Sequence, residues 1–237
     1  MFEASESIVN RAGHLRLTIA RRWSRVLAAT VFPPECCLCG FPGASLDLDL
    51  CGVCRDDLPW LRNSWCAERS SALVAFNYAQ PVDDLIRDLK YRGLTPNARV
   101  LGVLLAQAVV ERASTLPRLL VPVPLHDRRL RERGFNQAAS LARYAGRMLG
   151  IPFAARAVRR VRDTPSQTSL TEEERHRNVR AAFAIAGPRH QKRLSGAGHV
   201  AVVDDVMTTG STLNEMKSVL VAAGVRQVDL WAVARVA

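Results

Sequence analysis

An apolar run at residues 200–203 leads into two adjacent acids, Asp204 and Asp205, and then into Thr208, Thr209, Gly210, Ser211 and Thr212. These residue types suit a phosphate-bearing ribose. Backbone N–H groups of a tight turn at a helix N-terminus form an anion cradle, and the four hydroxyls add donors to phosphate oxygens. Gly210 permits the positive φ that such a turn requires. Two neighbouring carboxylates can accept hydrogen bonds from vicinal ribose hydroxyls. The alternative is an ordinary strand-to-helix turn with a Ser or Thr N-cap, which leaves both acids unexplained.

A second cluster carries metal chemistry. All six cysteines lie between Cys36 and Cys66. Cys36-x-x-Cys39 and Cys51-x-x-Cys54 are two paired knuckles whose four thiolates can close a tetrahedral Zn²⁺ shell, leaving no open position for catalysis. This zinc is scaffolding. Disulfides would need an oxidising compartment, for which the sequence carries no signal. Cys37 and Cys66 are expected to be bystanders.

The elements that position these groups follow from periodicity. Strands are expected at residues 73–78, 119–124, 158–161, 200–203 and 228–236, and helices at 82–89, 97–113, 137–149 and 212–223. Thr171 and Glu174 form a capping box that opens another helix. Such alternation predicts an α/β fold with a parallel sheet covered on both faces, whose ligands bind beyond the carboxyl ends of the strands. Ahead of it, apolar Ile8, Ala12, Leu15, Ile19, Trp23 and Val26 alternate with Arg11, Arg16, Arg21, Arg22 and Arg25. This predicts a basic amphipathic helix within residues 1–35, packed on the protein's own body rather than on a membrane surface. The zinc module then spans 36–66 and the larger domain 70–237.

The 237 residues are 48% hydrophobic and 23% charged, a globular composition, and no apolar stretch is long enough to form a transmembrane segment. Arg21 and Arg22 resemble the start of a twin-arginine export signal. The apolar run behind them covers only residues 26–32 and stops at Pro33 and Pro34, so a cytoplasmic location is expected. The net charge of +11 is concentrated in residues 118–193, which hold 17 Lys/Arg against 6 Asp/Glu. Either a phosphate-rich partner or a solvated arginine-rich surface accounts for that block.

Residues 204–212 resemble the phosphoribosyl pyrophosphate motif of type I phosphoribosyltransferases. The resemblance implies that Asp204 and Asp205 hold the ribose hydroxyls and Thr208, Thr209, Gly210, Ser211 and Thr212 the 5′-phosphate, with Mg²⁺ on the pyrophosphate. Six further pieces are similar to the ComF (competence protein F, GntX-like) family. They are Pro33-Pro-x-Cys-x-x-Cys39, Leu89-Lys-Tyr-Arg-Gly93, Val121-Pro-Val-Pro-Leu-His126, Arg133-Gly-Phe-Asn-Gln137, Gln167-Thr-x-Leu170 and Arg175-x-x-Asn178. Arg131, Arg133 and Gly134 fall where the family fold has its pyrophosphate loop. Arginine offers a bidentate fork to phosphate oxygens, and glycine lets the backbone approach. A surface pair between Arg133 and Glu132 is the alternative. The polar stretch 162–169 lies where enzymes of this fold cover the site, or is a plain connector. Lys90 is a further candidate to face the site, although a lysine on a helix is usually solvated.

The chain departs from the pattern in three ways. Thr209 stands where the commonest enzymes of the fold have glycine, no segment reads as a base pocket, and no second cysteine pair follows Cys66. Three functions are compatible with the sequence. One is transfer of phosphoribosyl from phosphoribosyl pyrophosphate to an unidentified acceptor, with Asp204, Asp205 and Arg133 as the catalytic group. Another is non-catalytic handling of single-stranded DNA in competence. The third is sensing of phosphoribosyl pyrophosphate. The two acids favour the first and third, because DNA binding needs no carboxylates. The basic block also has few aromatics on which bases could stack.

Overall fold

The computed structural model describes residues 35–42, 48–61, 72–163 and 181–236. The expected N-terminal helix, Cys66, the capping box at Thr171 and Glu174, most of the 162–169 stretch and the motifs at 167–170 and 175–178 lie outside them. The chain forms two compact units, divided between Asp57 and Leu58.

The first unit holds two cysteine turns. Cys36 N–H donates to the Phe41 carbonyl at 2.6 Å, and Gly40, at φ +75°, closes the first turn onto the Cys36 carbonyl. The second turn opens helix α1 (Gly52–Asp56), with Cys51 as its N-cap. Cys37 N–H donates to the Asp49 carbonyl at 2.9 Å, which ties the turns together over buried Leu48 and Leu50.

The second unit is an α/β domain. Four parallel strands, β1 (Ala72–Asn77), β2 (Leu119–Pro122), β5 (His199–Met207) and β6 (Gln227–Arg235), lie in the order β1-β6-β5-β2. The central pair β5 and β6 is almost continuously buried, with apolar residues through most of each strand, as a strand covered on both faces requires. Helices α3 (Thr95–Arg112) and α5 (Gln137–Leu149) cover one face. Helix α7 (Ser211–Ala222) covers the other, where Leu213, Met216 and Leu220 join Val200, Val202, Val228 and Leu230 in one core. The two-residue period of the strands separates the faces.

Helix α2 (Val82–Tyr91) buries Val82, Leu85, Ile86 and Leu89. Asp83 and Asp84 in its first turn complement the helix dipole. Asn97 of α3, itself buried, donates to the Leu85 carbonyl at 3.1 Å and locks the two helices together.

Three features differ from the expectations. The segment around Val158 is not part of the main sheet: β3 (Val158–Arg160) pairs antiparallel with β4 (Phe183–Ile185) in a separate ribbon. Helix α6 (Pro188–Ala197) and strand β4 were not anticipated, because each is short and lacks a clear period. Where a loop was expected after β2, residues Asp127–Arg133 form helix α4. His126 caps its N-terminus and Gly134, at φ +80°, ends it in the left-handed conformation that favours glycine.

Helix α3 approaches α5 closely at Gly102, and α5 meets the chain that follows it closely at Gly146. A β-carbon on Gly102 would lie 2.8 Å from Tyr144 Cβ and 2.9 Å from the Leu141 carbonyl oxygen. One on Gly146 would lie 2.5 Å from the Ile151 carbonyl oxygen. Gly102→Ala and Gly146→Ala should each cost about 1–3 kcal/mol, because backbone must move. Gly196→Ala on α6, which meets nothing within 4 Å, should be neutral or stabilise by up to about 1 kcal/mol. Denaturant unfolding of the three variants checks this, and equal losses at all three positions would refute the packing argument.

Candidate functional site

All four strands of the main sheet end at one edge, and two of their exits form a crevice there. From β2 the chain continues into α4 and α5, while from β5 it enters α7 on the opposite face. Adjacent parallel strands whose connections diverge to opposite faces leave a ligand crevice between them. Val123 N–H donates to the Val203 carbonyl at 2.9 Å, so the exit of β2 begins beside Asp204.

The acids do not follow the strand; they belong to it. Asp204 still pairs in register with Ala232 of β6, and β5 runs on to Met207. Both carboxyl groups are buried. Asp204 accepts the N–H of Asp205 at 2.9 Å, and Asp205 accepts that of Val206 at 2.8 Å. Lys90, near the end of α2, sets its ammonium 2.8 Å from Asp205 Oδ2. Oδ2 is enclosed, and among the described residues the Lys90 ammonium is its partner, as an ion pair.

The electrostatics follow from burial. Desolvation, reinforced by the neighbouring Asp205 charge, pushes Asp204 up to about 8. Burial acts on Asp205 in the same sense, but the Lys90 ammonium outweighs it and holds Asp205 below the usual carboxylate range. Lys90 is raised although burial opposes its charge, because Asp205 and Asp204 stabilise the ammonium. Burial and the neighbouring charges together favour one ammonium, one carboxylate and one protonated acid in this cluster.

The loop after β5 has the geometry its residue types suggest. Gly210 sits at φ +76° and begins α7, whose N-terminus has no side-chain cap. Thr209 and Ser211 hydroxyls meet at 2.5 Å, and Thr209 Oγ1 also accepts the Ser211 N–H at 3.4 Å. Thr208, Thr209 and Thr212 are half-buried, and Gly210 and Ser211 buried.

Arg133 and Gly134 lie at the end of α4. Arg133 donates to Gln137 Oε1 at 2.6 Å and lies over the Tyr91 ring at 5.6 Å, rather than pairing with Glu132. Tyr91 follows Lys90 directly, so the end of α2 touches both Arg133 and the acid pair. Two groups escaped the sequence reading. Arg160 of β3 feels the Asp204 charge, although burial and nearby Arg129 lower its pKa. Asp163 clasps α4, 2.9 Å from Arg128 Nε and 3.5 Å from His126 Nδ1. Neither had a local signal, since pairing of β3 with β4 across the intervening residues decides where Arg160 stands. Lys90 did have one: it lies four residues after buried Ile86 and so on the apolar stripe of α2. A cavity of about 360 Å³, lined in part by Lys217, Arg226 and Asp229, opens at the amino edge of the sheet, the opposite end from Asp204.

The sulfur atoms of Cys36, Cys39, Cys51 and Cys54 all lie within 4.8 Å of one another. Cys39 and Cys51 sulfurs are 3.7 Å apart, close to the ~3.8 Å edge of a tetrahedron with Zn–S bonds of ~2.3 Å. Burial opposes ionisation of Cys36, yet the N–H groups of Cys51, Cys39 and Leu38 hold its thiol down at about 6. The donor set fits structural Zn²⁺ and is closed. Cys37 is exposed and outside it.

Two outcomes follow from these sites. Purified chain should carry about one zinc per molecule, and Cys51→Ser should release it and unfold the first unit, since such sites contribute about 10–16 kcal/mol on binding. Melting of the second unit should be unchanged, and metal analysis finding no zinc would refute the site. For Asp204, an acid at about 8 when folded and near 3.8 when unfolded keeps its proton only in the folded state. Its stabilising contribution is full below pH 3.8 and lost as pH rises through 8. Between roughly pH 5 and 8, Asp205 is ionised and Lys90 protonated in both states. Unfolding free energy should therefore fall with pH more steeply in wild type than in Asp204→Asn, by up to about 1.4 kcal/mol per pH unit. Equal slopes would show that Asp204 is ionised when folded.

Residues 27–81 match the double zinc ribbon domain family, which contains all four clustered cysteines. Over 203 residues the chain is 34% identical to competence protein F of Haemophilus influenzae, covering 83% of this chain and 84% of that one. It is 34% identical over 205 residues to the DNA utilization protein YhgH of Escherichia coli, covering 84% and 83%. Competence protein ComFC of Streptococcus pneumoniae is 27% identical over 173 residues, 72% of each chain. With a third of the residues identical across most of both chains, the chain belongs to the competence protein F (ComF) family.

Proposed function

We propose that this protein binds phosphoribosyl pyrophosphate, as its Mg²⁺ salt, at the carboxyl edge of the sheet and transfers the phosphoribosyl group to an acceptor. The observation that carries the reading is the pair of buried carboxyl groups, Asp204 and Asp205, immediately before the uncapped N-terminus of α7. A surface for the DNA backbone alone has no use for them. In this reading Asp204 and Asp205 bind the ribose hydroxyls, and residues Thr208, Thr209, Gly210, Ser211 and Thr212 bind the 5′-phosphate. Arg133, with the backbone at Gly134, takes the pyrophosphate, and Mg²⁺ arrives on that group as part of the substrate.

The acceptor's lone pair forms the new bond to C1 of the ribose while the C1–O bond breaks, and pyrophosphate departs with that electron pair. Positive charge builds on the sugar ring beside ionised Asp205, and negative charge on the leaving group beside Arg133. Rate enhancement in this scheme comes from orientation and from charges already in place.

A second reading has its own support. The relatives named for competence and DNA utilization favour a role in handling DNA. Arg128, Arg129, Arg131 and Arg133 stand together on α4 at the same edge. Both ligands can be tested on one protein. At 100 times its dissociation constant phosphoribosyl pyrophosphate adds about 2.7 kcal/mol, a rise of roughly 5–11 °C in melting temperature for a chain of this size. Asp204→Ala, which removes the carboxyl group altogether, should remove most of that rise, measured against the variant's own ligand-free melting point. Single-stranded DNA should bind with a log–log salt slope of about −2 to −3.5 for three to five phosphate contacts, and be displaced by the donor. Arg133→Ala should weaken both ligands. A wild-type melting curve indifferent to the donor would sink the transferase reading, and tight DNA binding at physiological salt, unaffected by donor, would replace it.

A further inference from the structure

Two adjacent buried carboxyl groups usually attract a divalent cation, because hard oxygen donors with little competing water are what Mg²⁺, Mn²⁺ and Ca²⁺ bind. Here the place a cation would take is filled. The Lys90 ammonium stands 2.8 Å from Asp205 Oδ2, with the lysine side chain only 20% exposed. It is carried there by the buried stripe of α2 rather than by the ligand loop. We propose that Lys90 is the resident counter-ion of the Asp204–Asp205 pair, opening that pair to the neutral hydroxyls of a sugar and closing it to divalent cations. The sugar half rests on the reading of the site given above. The exclusion of metal does not.

Charge and hydrogen bonding both support the assignment. The Lys90 and Asp205 charges cancel, and Asp204, pushed up to about 8, adds none at neutral pH. Arg160 of β3 is coupled electrostatically to Asp204, and to Arg129 and Asp163, and Tyr78 of the turn after β1 to Lys90. A divalent ion entering this pair meets the Lys90 ammonium and no net negative charge. A hydroxyl meets no such barrier. Asp205 Oδ2 is enclosed beside the ammonium, so a hydroxyl would be received by the other carboxyl oxygens of the pair. Asp204, protonated, can itself donate to a hydroxyl oxygen.

The test uses the full-length, zinc-loaded protein and Mn²⁺ alone, with free Mn²⁺ read by electron paramagnetic resonance and no phosphoribosyl pyrophosphate present. Wild type should take up no Mn²⁺ at this pair. Lys90→Met should gain about one site per chain, binding at least tenfold more tightly than wild type. Lys90→Arg should remain closed, and Lys90→Met with Asp205→Asn should lose the new site. Equal Mn²⁺ binding by wild type and Lys90→Met, or no gain in Lys90→Met, overturns the proposal. If Lys90→Met does not fold unaided, its thermal melt decides: a cooperative transition restored by Mn²⁺ supports the proposal, and one that Mn²⁺ does not restore overturns it. Ribose 5-phosphate and inorganic phosphate probe the sugar half. Lys90→Met should weaken ribose 5-phosphate at least tenfold and leave phosphate, which needs only the loop, unchanged. Equal weakening of both would overturn the sugar half. A wild-type protein that ignores both probes would remove the sugar-binding reading while leaving the Mn²⁺ result to stand.

Discussion

Burying two carboxyl groups at the end of a central strand is the constraint on which the rest of this domain depends. An unpaired carboxylate there would cost several kcal/mol, and leaving both ionised would cost more. The protein answers with three devices: a cation from another element, a proton, and two main-chain N–H donors. The N–H donors come with the strand, since each acid accepts from the residue that follows it. The cation has to be delivered. Lys90 reaches Asp205 only if α2 is held against α3, and four buried apolar side chains with the Asn97 hydrogen bond do that. The charge state of the site is thus tied to packing well outside the ligand loop.

The sheet places this cluster where the strands leave the core. Neither edge strand is left bare. On one side Leu61 N–H donates to the Ala75 carbonyl and Asn77 N–H to the Pro59 carbonyl, so residues 59–61 run antiparallel along β1. On the other side, residues 152–154 bond to Leu120 of β2 in both directions. Covering both edges removes the usual route to edge-to-edge association. It leaves the carboxyl ends of the strands as the part of the sheet where backbone N–H groups still face outward, at the start of α7. The uncapped start of α7 and the buried acids are adjacent because both belong to the same strand–turn–helix passage.

How far this was legible in the sequence depends on the range over which each element is determined. The passage through Asp204, Gly210 and Thr212 is local: an apolar run, a residue free to take positive φ and a good helix start suffice to read it. The cysteine turns are local too, and the four sulfurs converge as their spacing implies. The end of β5 was read too short, because two acids resemble the end of a strand. Only pairing with β6, which continues past Ala232, keeps them inside it. Helix α4 resembles a loop in the sequence, since four arginines in seven residues hide the cap at His126 and the stop at Gly134. Arg160 was invisible because its position depends on a strand more than twenty residues away. Lys90 lay between these cases. Its place on the apolar stripe could be counted, but a charged residue on such a stripe is given meaning only by the acid it meets.

Thr209 bears on how the loop meets an anion. Where the commonest enzymes of this fold have glycine, this side chain is folded into the loop's own network, bonded to the Ser211 hydroxyl and lying 3.4 Å from the Ser211 N–H. At that distance the N–H is held weakly, and an incoming phosphate oxygen can replace it. Freed from the N–H, the Thr209 hydroxyl can turn to donate to the same anion. A glycine would leave the N–H open and lose the hydroxyl; the threonine keeps a donor at the cost of some backbone approach. The exchange needs no movement of the loop backbone, because Gly210 already holds the left-handed turn that sets the start of α7. The departure at Thr209 is therefore compatible with an anion cradle, and in the proposed function it would shift part of the recognition from main chain to side chain.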